Sequence, residues 1–237
     1  MKKTIIITGG TRGIGEACVR LFSKEMNVAF FYLKSDERAA ALERETGAVG
    51  MKIDVSDRES VTAAIKKVYE RFGAIDGLVN NAGIDLYGMF QDVSADDVRK
   101  LYEVNLFGAL NCARAVVPYM INAKRGSIVN VSSIWGRLGG SYEVDYSTSK
   151  GALITFTKAL AKEVGPSGVR VNSISPGLID TDMNAELCDA DKREFLDKTA
   201  LGRIGTPNEV AEVIAFLINE KSSYITGADL PVDGLIL

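Results

Sequence analysis

The chain has 237 residues with 46% hydrophobic content and a mean hydropathy of +0.07, enough for one large α/β domain and short for two of ordinary size. A formal net charge of -3, with no basic tail, argues against nucleic-acid binding as the main task, because phosphate recognition needs a basic face. Histidine is absent altogether, which excludes Ser-His-Asp triads, Cys-His dyads and zinc sites built on imidazole, so any proton transfer falls to Tyr, Lys, Asp, Glu or a cofactor.

Strand-like and helix-like segments alternate from end to end. The first, "KTIIIT" (3–8), follows two lysines as a secretion signal would, but the apolar run is short and enters a glycine-rich turn, "TGGTRGIG" (8–15), so it reads as a strand. Further strands are expected at 27–33, 48–54, 76–80, 126–132, 169–175 and 228–233, each short and rich in β-branched or aromatic residues. Between them lie helices. In 57–72, Val61, Ile65, Val68 and Phe72 fall on one face. "SADD" (94–97) has the pattern of a capping box and opens one long helix through "VRKLYEVNLFGALNCARAVVPYM"; "TPNE" (206–209) opens another, with Pro207 at its first position. The region 178–205 is the least regular and reads as a helical lid or substrate loop.

Such alternation predicts a single α/β domain over 1–237, of the doubly wound Rossmann type, with a mostly parallel seven-stranded sheet covered by helices on both faces. No apolar run approaches the ~20 residues that span a bilayer, so no membrane partner is expected. Cys18, Cys112 and Cys188 are scattered, odd in number and without metal spacing, which points to a reducing cytoplasm and no metal site.

The turn at 8–15 carries the first chemistry. Gly9, Gly13 and Gly15 lie where a strand becomes a helix, and glycine lets backbone approach a pyrophosphate resting on the helix amino terminus. Thr11, Arg12 and Ile14 belong to the same turn. An acidic residue ending the second strand would favour NAD, yet Leu33 and Lys34 stand there, and Asp36 reads as a helix start. Arg12 and Lys34 together can hold a 2′-phosphate. NADP(H) is therefore the favoured cofactor, with NAD(H) as the alternative and two solvated surface cations as the plain reading.

Later motifs fall at or just past strand carboxyl ends: "NNAG" (80–83), Asn105, "VSS" (131–133), "YSTSK" (146–150), "SPG" (175–177) and Thr181. In this order they resemble the short-chain dehydrogenase/reductase family, over essentially the whole chain. The resemblance implies a catalytic tetrad of Asn105, Ser133, Tyr146 and Lys150, with Ser133 preferred to Ser132 for its distance from the tyrosine. It also implies cofactor contacts at Asn80, Ala82 and Gly83, at Asp54 and Val55 beside the adenine, at Lys150 and Tyr146, and at Pro176, Gly177, Ile179 and Thr181. The chemistry is intelligible without the family. Hydride attack on a carbonyl builds negative charge on oxygen, which needs a proton donor and a hydrogen bond. A tyrosine of pKa ≈ 10 becomes useful when a cation favours its ionised form, and Lys150 lies four residues on, on the same helix face.

Within the family the closest resemblance is to β-ketoacyl-(acyl-carrier-protein) reductases, through "TRGIG", "GRIGTPNEVAEVIAFL" and "YITGADLPVDG". That likeness implies reduction of a 3-oxoacyl thioester, carried on acyl carrier protein or CoA, by a homotetramer (or a dimer). The chain departs from the group at "IDLYGMF" (84–90), where a Thr-Arg-Asp run is common, at Ser167, and at its end "VDGLIL"; Lys124 and Arg125 are the basic residues left for carrier-protein docking. The alternatives are a dehydrogenase of a sugar, steroid or other small alcohol, and, in another class, a non-catalytic NADP-binding regulator.

Overall fold

The computed structural model describes residues 2–185 and 188–236. Seven strands, β1 (Thr4–Thr8), β2 (Asn27–Tyr32), β3 (Val49–Lys52), β4 (Gly77–Asn80), β5 (Gly126–Val131), β6 (Val169–Pro176) and β7 (Asp229–Val232), form one sheet in the order β3-β2-β1-β4-β5-β6-β7. Each pairing is parallel. The chain winds outward from β1 to β3, then returns to lay β4 on the other side of β1. This reversal opens a crevice beyond the carboxyl ends of β1 and β4, where doubly wound sheets bind ligands.

The strands are apolar on both faces because both faces are covered. Ile5, Ile7, Phe30, Val79 and Val129 pack under α1 (Gly13–Phe22), α2 (Asp36–Thr46) and α9 (Pro207–Ile218). Ile6, Phe31, Leu78 and Ile128 face the other way, under α3 (Arg58–Phe72), α5 (Gly108–Ala123) and α7 (Val144–Val164). Successive side chains of one strand thus enter opposite cores, which demands a continuous run such as "TIIIT". At the amino ends of the strands, Asp76 accepts from the Thr4 N–H at 2.9 Å and from Arg125 Nε at 2.8 Å.

The two sequence-marked helix starts differ in detail. At α9 the Glu209 N–H donates to Thr206 Oγ1 at 3.3 Å and the Thr206 N–H donates to Glu209 Oε2 at 2.8 Å, a full capping box with Pro207 in the first turn. At α4 (Ala95–Tyr102) the Asp97 N–H donates to Ser94 Oγ, but the Asp97 carboxylate, one methylene shorter than glutamate, takes the Ser94 hydroxyl instead of the Ser94 N–H. The cap forms; its reciprocal half does not.

The helix expected to run unbroken from there is interrupted. Glu103–Phe107 is a π turn between α4 and α5, an extra residue wound into the helix. The whole stretch Ala95–Ala123 is long and apolar enough to cross a membrane, yet it buries Leu101, Cys112, Val116 and Met120 in the protein and begins with Asp96, Asp97, Arg99 and Lys100. It is a core helix. Two further helices were not distinguished by pattern: the short α6 (Ile134–Leu138) and α8 (Asp189–Asp197) inside the 178–205 loop. That loop leaves and rejoins the body at one point, where Ile179 and Gly205 bridge; Glu186 and Leu187 lie outside the described residues.

Thr206→Ala removes the side-chain acceptor of the Glu209 N–H while leaving the Glu209 carboxylate on Arg203, so the unfolding free energy in urea is expected to fall by about 1 kcal/mol.

Candidate active site

At the crevice, β1 and β4 are stitched by side chains. Thr8 Oγ1 accepts from the N–H groups of Asn81 and Ala82 at 3.0 and 2.9 Å, and Asn81 Nδ2 donates to the carbonyls of Thr8 and Gly9 at 3.0 and 3.1 Å. The glycine turn is pressed onto this stitch. A Cβ on Gly15 would lie 2.1 Å from the Gly9 carbonyl oxygen and 2.6 Å from Asn81 Nδ2, so only glycine fits. Gly9 and Gly13 have φ of +67° and +53°, which side chains rarely adopt. Arg12 caps α1 in extended conformation without a side-chain hydrogen bond, leaving the first N–H groups of that helix to an anion. Thr11 is buried and Ile14 packs against the core. A backbone cradle of this kind fits a dinucleotide pyrophosphate.

Around the cradle the cations sort into two kinds. Arg20 is paired with Glu16, Arg38 with Asp182 at 2.7 Å, and Lys52 with Asp36 at 2.7 Å. Arg12 and Lys34 are exposed and form no ion pair among the described residues. Asp36 is the first residue of α2, as expected, and its carboxylate is held by Lys52.

The other expected cofactor residues take varied positions. Ala82 and Gly83 line the crevice floor: Ala82 lies under Gly9, and a Cβ on Gly83 would come within 3.3 Å of both Asn105 Oδ1 and Lys150 Nζ. The Asn80 side chain turns inward, donating to Asn130 Oδ1 at 2.8 Å and to the Ala109 carbonyl, so it belongs to a buried chain that continues from Asn130 to Thr157. Asp54 folds back on Ser56, accepting from its N–H and hydroxyl, and Val55 is wedged against Gly108. Pro176 ends β6, and Gly177 packs so closely on Asp233 that a Cβ would lie 2.8 Å from its Cα. Ile179 is buried, and Thr181 leans onto the glycine turn, with Cγ2 3.1 Å from a Cβ on Gly13. A cleft lined by Leu178, Asp180, Thr181 and Ile204 opens there.

The four tetrad residues come together. Asn105, in the π turn, clasps Ile84: its Oδ1 accepts from the Ile84 N–H at 2.8 Å and its Nδ2 donates to the Ile84 carbonyl at 2.9 Å, with a longer bond of 3.3 Å to Ser149 Oγ. Ser133 and Ser132 separate cleanly. Ser133, the cap of α6, accepts from the Trp135 N–H at 3.1 Å and has its hydroxyl beside Tyr146, whereas Ser132 Oγ donates to the Lys150 carbonyl at 2.8 Å. Lys150 is buried, its ammonium bonded to the Val131 carbonyl at 3.0 Å and lying 5.7 Å from the Tyr146 ring centre.

Burial dominates the electrostatics. It pushes the Tyr146 hydroxyl well above its ordinary value; the Ser133 hydrogen bond works in the opposite direction, while the Asp85 and Glu143 carboxylates push it higher still. Burial brings Lys150 down from 10.5 to about 8. The expected lowering of the tyrosine by lysine is therefore not the leading influence in this geometry, where the ammonium faces the ring and Val131. Glu143, desolvated and next to Asp85, rises from 4.5 to about 7.

Pattern reading missed three participants: Thr8 and Asn81, which form the stitch, and the Asp85–Glu143 pair. "NNAG" flagged the first Asn of the pair, and nothing local separates it from the second. Asp85 and Glu143 are 58 positions apart, too far for any local spacing rule.

A family profile described as enoyl-(acyl carrier protein) reductase matches residues 9–234. The chain is 40% identical to the 3-oxoacyl-(acyl-carrier-protein) reductase FabG of Chlamydia muridarum, over 99% of this chain and 97% of the relative. It is 39% identical to the FabG of Thermotoga maritima, with 98% and 96% covered. An uncharacterized oxidoreductase of Bacillus subtilis, YmfI, is 38% identical with 99% and 98% covered. A solved structure of ElxO with NADP bound superposes with a TM-score of 0.92 at 33% identity, covering 99% of this chain and 98% of that one.

The shifted groups make stability depend on pH in two windows. Glu143 binds its proton more tightly folded than unfolded, so the unfolding free energy falls as pH rises from about 4.5 to about 7. Lys150 binds its proton less tightly folded, so stability rises again from about 8 to 10.5. Urea titrations across pH should show both slopes, and Glu143→Gln should flatten the first alone.

Proposed function

This chain belongs to the short-chain dehydrogenase/reductase family, and we propose that it is an NADPH-dependent carbonyl reductase acting on 3-oxoacyl thioesters. The observation that carries the reading is the convergence of Ser133 and the buried Tyr146 and Lys150 at the mouth of a glycine cradle, with the Lys150 ammonium 5.7 Å from the Tyr146 ring centre. Full-length likeness to two FabG proteins supports the thioester as substrate. NADP bound to ElxO, together with the unpaired Arg12 and Lys34, supports NADPH over NADH.

Each residue then has a task. The glycine turn and the amino end of α1 hold the pyrophosphate, and Arg12 and Lys34 hold the 2′-phosphate. NADPH, when bound, supplies the hydride. A carbonyl oxygen placed between Ser133 and Tyr146 meets both hydroxyls. Ser133 then donates a hydrogen bond to it, and Tyr146 gives it a proton as its charge grows. A tyrosine held protonated by burial suits reduction, where it acts as the acid. Lys150, the nearest cation, restores charge balance once the tyrosine has given up its proton. Asn105 fixes the Gly83–Ile84 turn against the lysine.

The basic pair Lys124 and Arg125 sits before β5, at the end of the sheet opposite Tyr146, and Arg125 is already bonded to Asp76. A carrier protein bound there would serve the site of another copy. That arrangement is consistent with a cytoplasmic homotetramer, whose contacts would cover the exposed Phe107, Phe216 and Tyr224.

Two measurements test the reading. With acetoacetyl-CoA and NADPH, Tyr146→Phe should lower kcat by about 10²–10⁴-fold while the protein stays folded and still binds NADPH. Lys150→Met should lower turnover as well, yet leave the urea midpoint unchanged or raised, because it removes a buried ammonium. Retained turnover in Tyr146→Phe would exclude the mechanism. For the cofactor, Arg12→Ala and Lys34→Ala should each raise the KM for NADPH about tenfold or more and leave that for NADH nearly unchanged.

A further inference from the structure

The stretch "IDLYGMF" departs from the pattern of the reductases it resembles, and the structure shows what it contributes. Asp85 lies close enough to Glu143 to raise its pKa, and Glu143 precedes α7 and stands three residues before Tyr146. The two loops are fastened together. The Gly88 N–H donates to the Tyr142 carbonyl at 2.8 Å, and the Tyr87 and Tyr142 rings stack with centres 5.3 Å apart. The two carboxyl groups thus lie near each other and near Tyr146, and the Asp85 charge makes Glu143 harder to ionise.

Little neutralises them. Among the described residues no lysine or arginine forms an ion pair with Asp85 or Glu143, and Arg137, on the neighbouring α6, is bonded to Asp229 at 3.3 Å. From α6 the Trp135 side chain hydrogen-bonds Glu143. From α7, Tyr146 and Lys150 face the pair, while Asp145 is directed to Tyr102. Lys150 feels Asp85 but has its ammonium bonded to the Val131 carbonyl at 3.0 Å. Both carboxylates are felt at Tyr146, and Asp85 at Lys150.

We propose that Asp85 and Glu143 are specificity-determining residues that turn anionic carbonyl compounds away from Tyr146, so that a 3-oxoacyl group is accepted as its uncharged thioester and rejected as the free carboxylate. The inference rests on the reductase reading above. With Tyr146 on the reacting oxygen, a free 3-oxo acid carries its own carboxylate two carbons away, inside the field of the pair. Like charges that close, in a partly solvated site, change kcat/KM by about tenfold or more. A thioester at that position has no charge to repel.

The test compares acetoacetyl-N-acetylcysteamine with acetoacetate, using the full chain and NADPH. In the wild type the thioester should be preferred. In the Asp85→Asn, Glu143→Gln double variant the ratio of kcat/KM values, thioester over free acid, should fall about tenfold, and by less in each single variant. An unchanged ratio overturns the proposal. A second reading needs only the wild type: acetoacetate stays ionised throughout, so its disadvantage should grow as pH rises across about 7, where Glu143 loses its proton. A ratio flat across that value also overturns it. If the wild type reduces no thioester at all, the reductase reading itself fails, an outcome distinct from a thioester turned over without discrimination.

Discussion

The site depends first on the junction of β1 and β4. A doubly wound sheet reverses its strand order there, and the two strand ends diverge into separate loops. Thr8 and Asn81 close the gap with four hydrogen bonds of 3.1 Å or less, and so turn a divergence into a fixed floor. Gly9 and Gly15 pack on that floor without room for a methyl group. Loosening it would move the anion cradle and the Gly83 turn together, since both are built from the residues that make the bonds. Binding and catalysis share this one support.

On the far side of the floor, the candidate catalytic groups are held by side chains and backbone of their neighbours. Val131 and Ser132 grip Lys150 through its ammonium and its carbonyl, and Asn105 grips the turn that the ammonium must pass. Burial makes both the tyrosine and the lysine prefer their neutral forms. In a chain without histidine, such desolvation brings the lysine toward the working range of pH and holds the tyrosine protonated.

The sheet was legible because its signal is local and repeated. "TIIIT" between a lysine pair and a glycine turn reads as a buried strand, and seven such runs alternating with helices leave one architecture. The candidate tetrad was read through the resemblance to the family, by the order and spacing of Asn105, Ser133, Tyr146 and Lys150, and the structure brings these residues together. What escaped was conformation set by contact. The π turn at Glu103–Phe107 looks like any helix in sequence, and only packing against Ile84 and α7 forces the extra residue. Asn80 and Asn81 are the same residue type side by side, and the strand's alternation sends one inward and the other into the stitch. Asp97 matched a capping pattern but is too short to complete it.

The π turn has a meaning for how this protein tolerates change in length. A regular helix through 103–107 would need one residue fewer; made regular at the present length, it would rotate every residue beyond it by about 100° about the axis. A deletion there would tend to heal the backbone hydrogen bonds and at the same time swing Asn105 off Ile84. Shortening the chain at that point is thus tolerable to the helix and ruinous to the site. The irregular turn behaves as a register mark, held in place by what the side chain of Asn105 must reach.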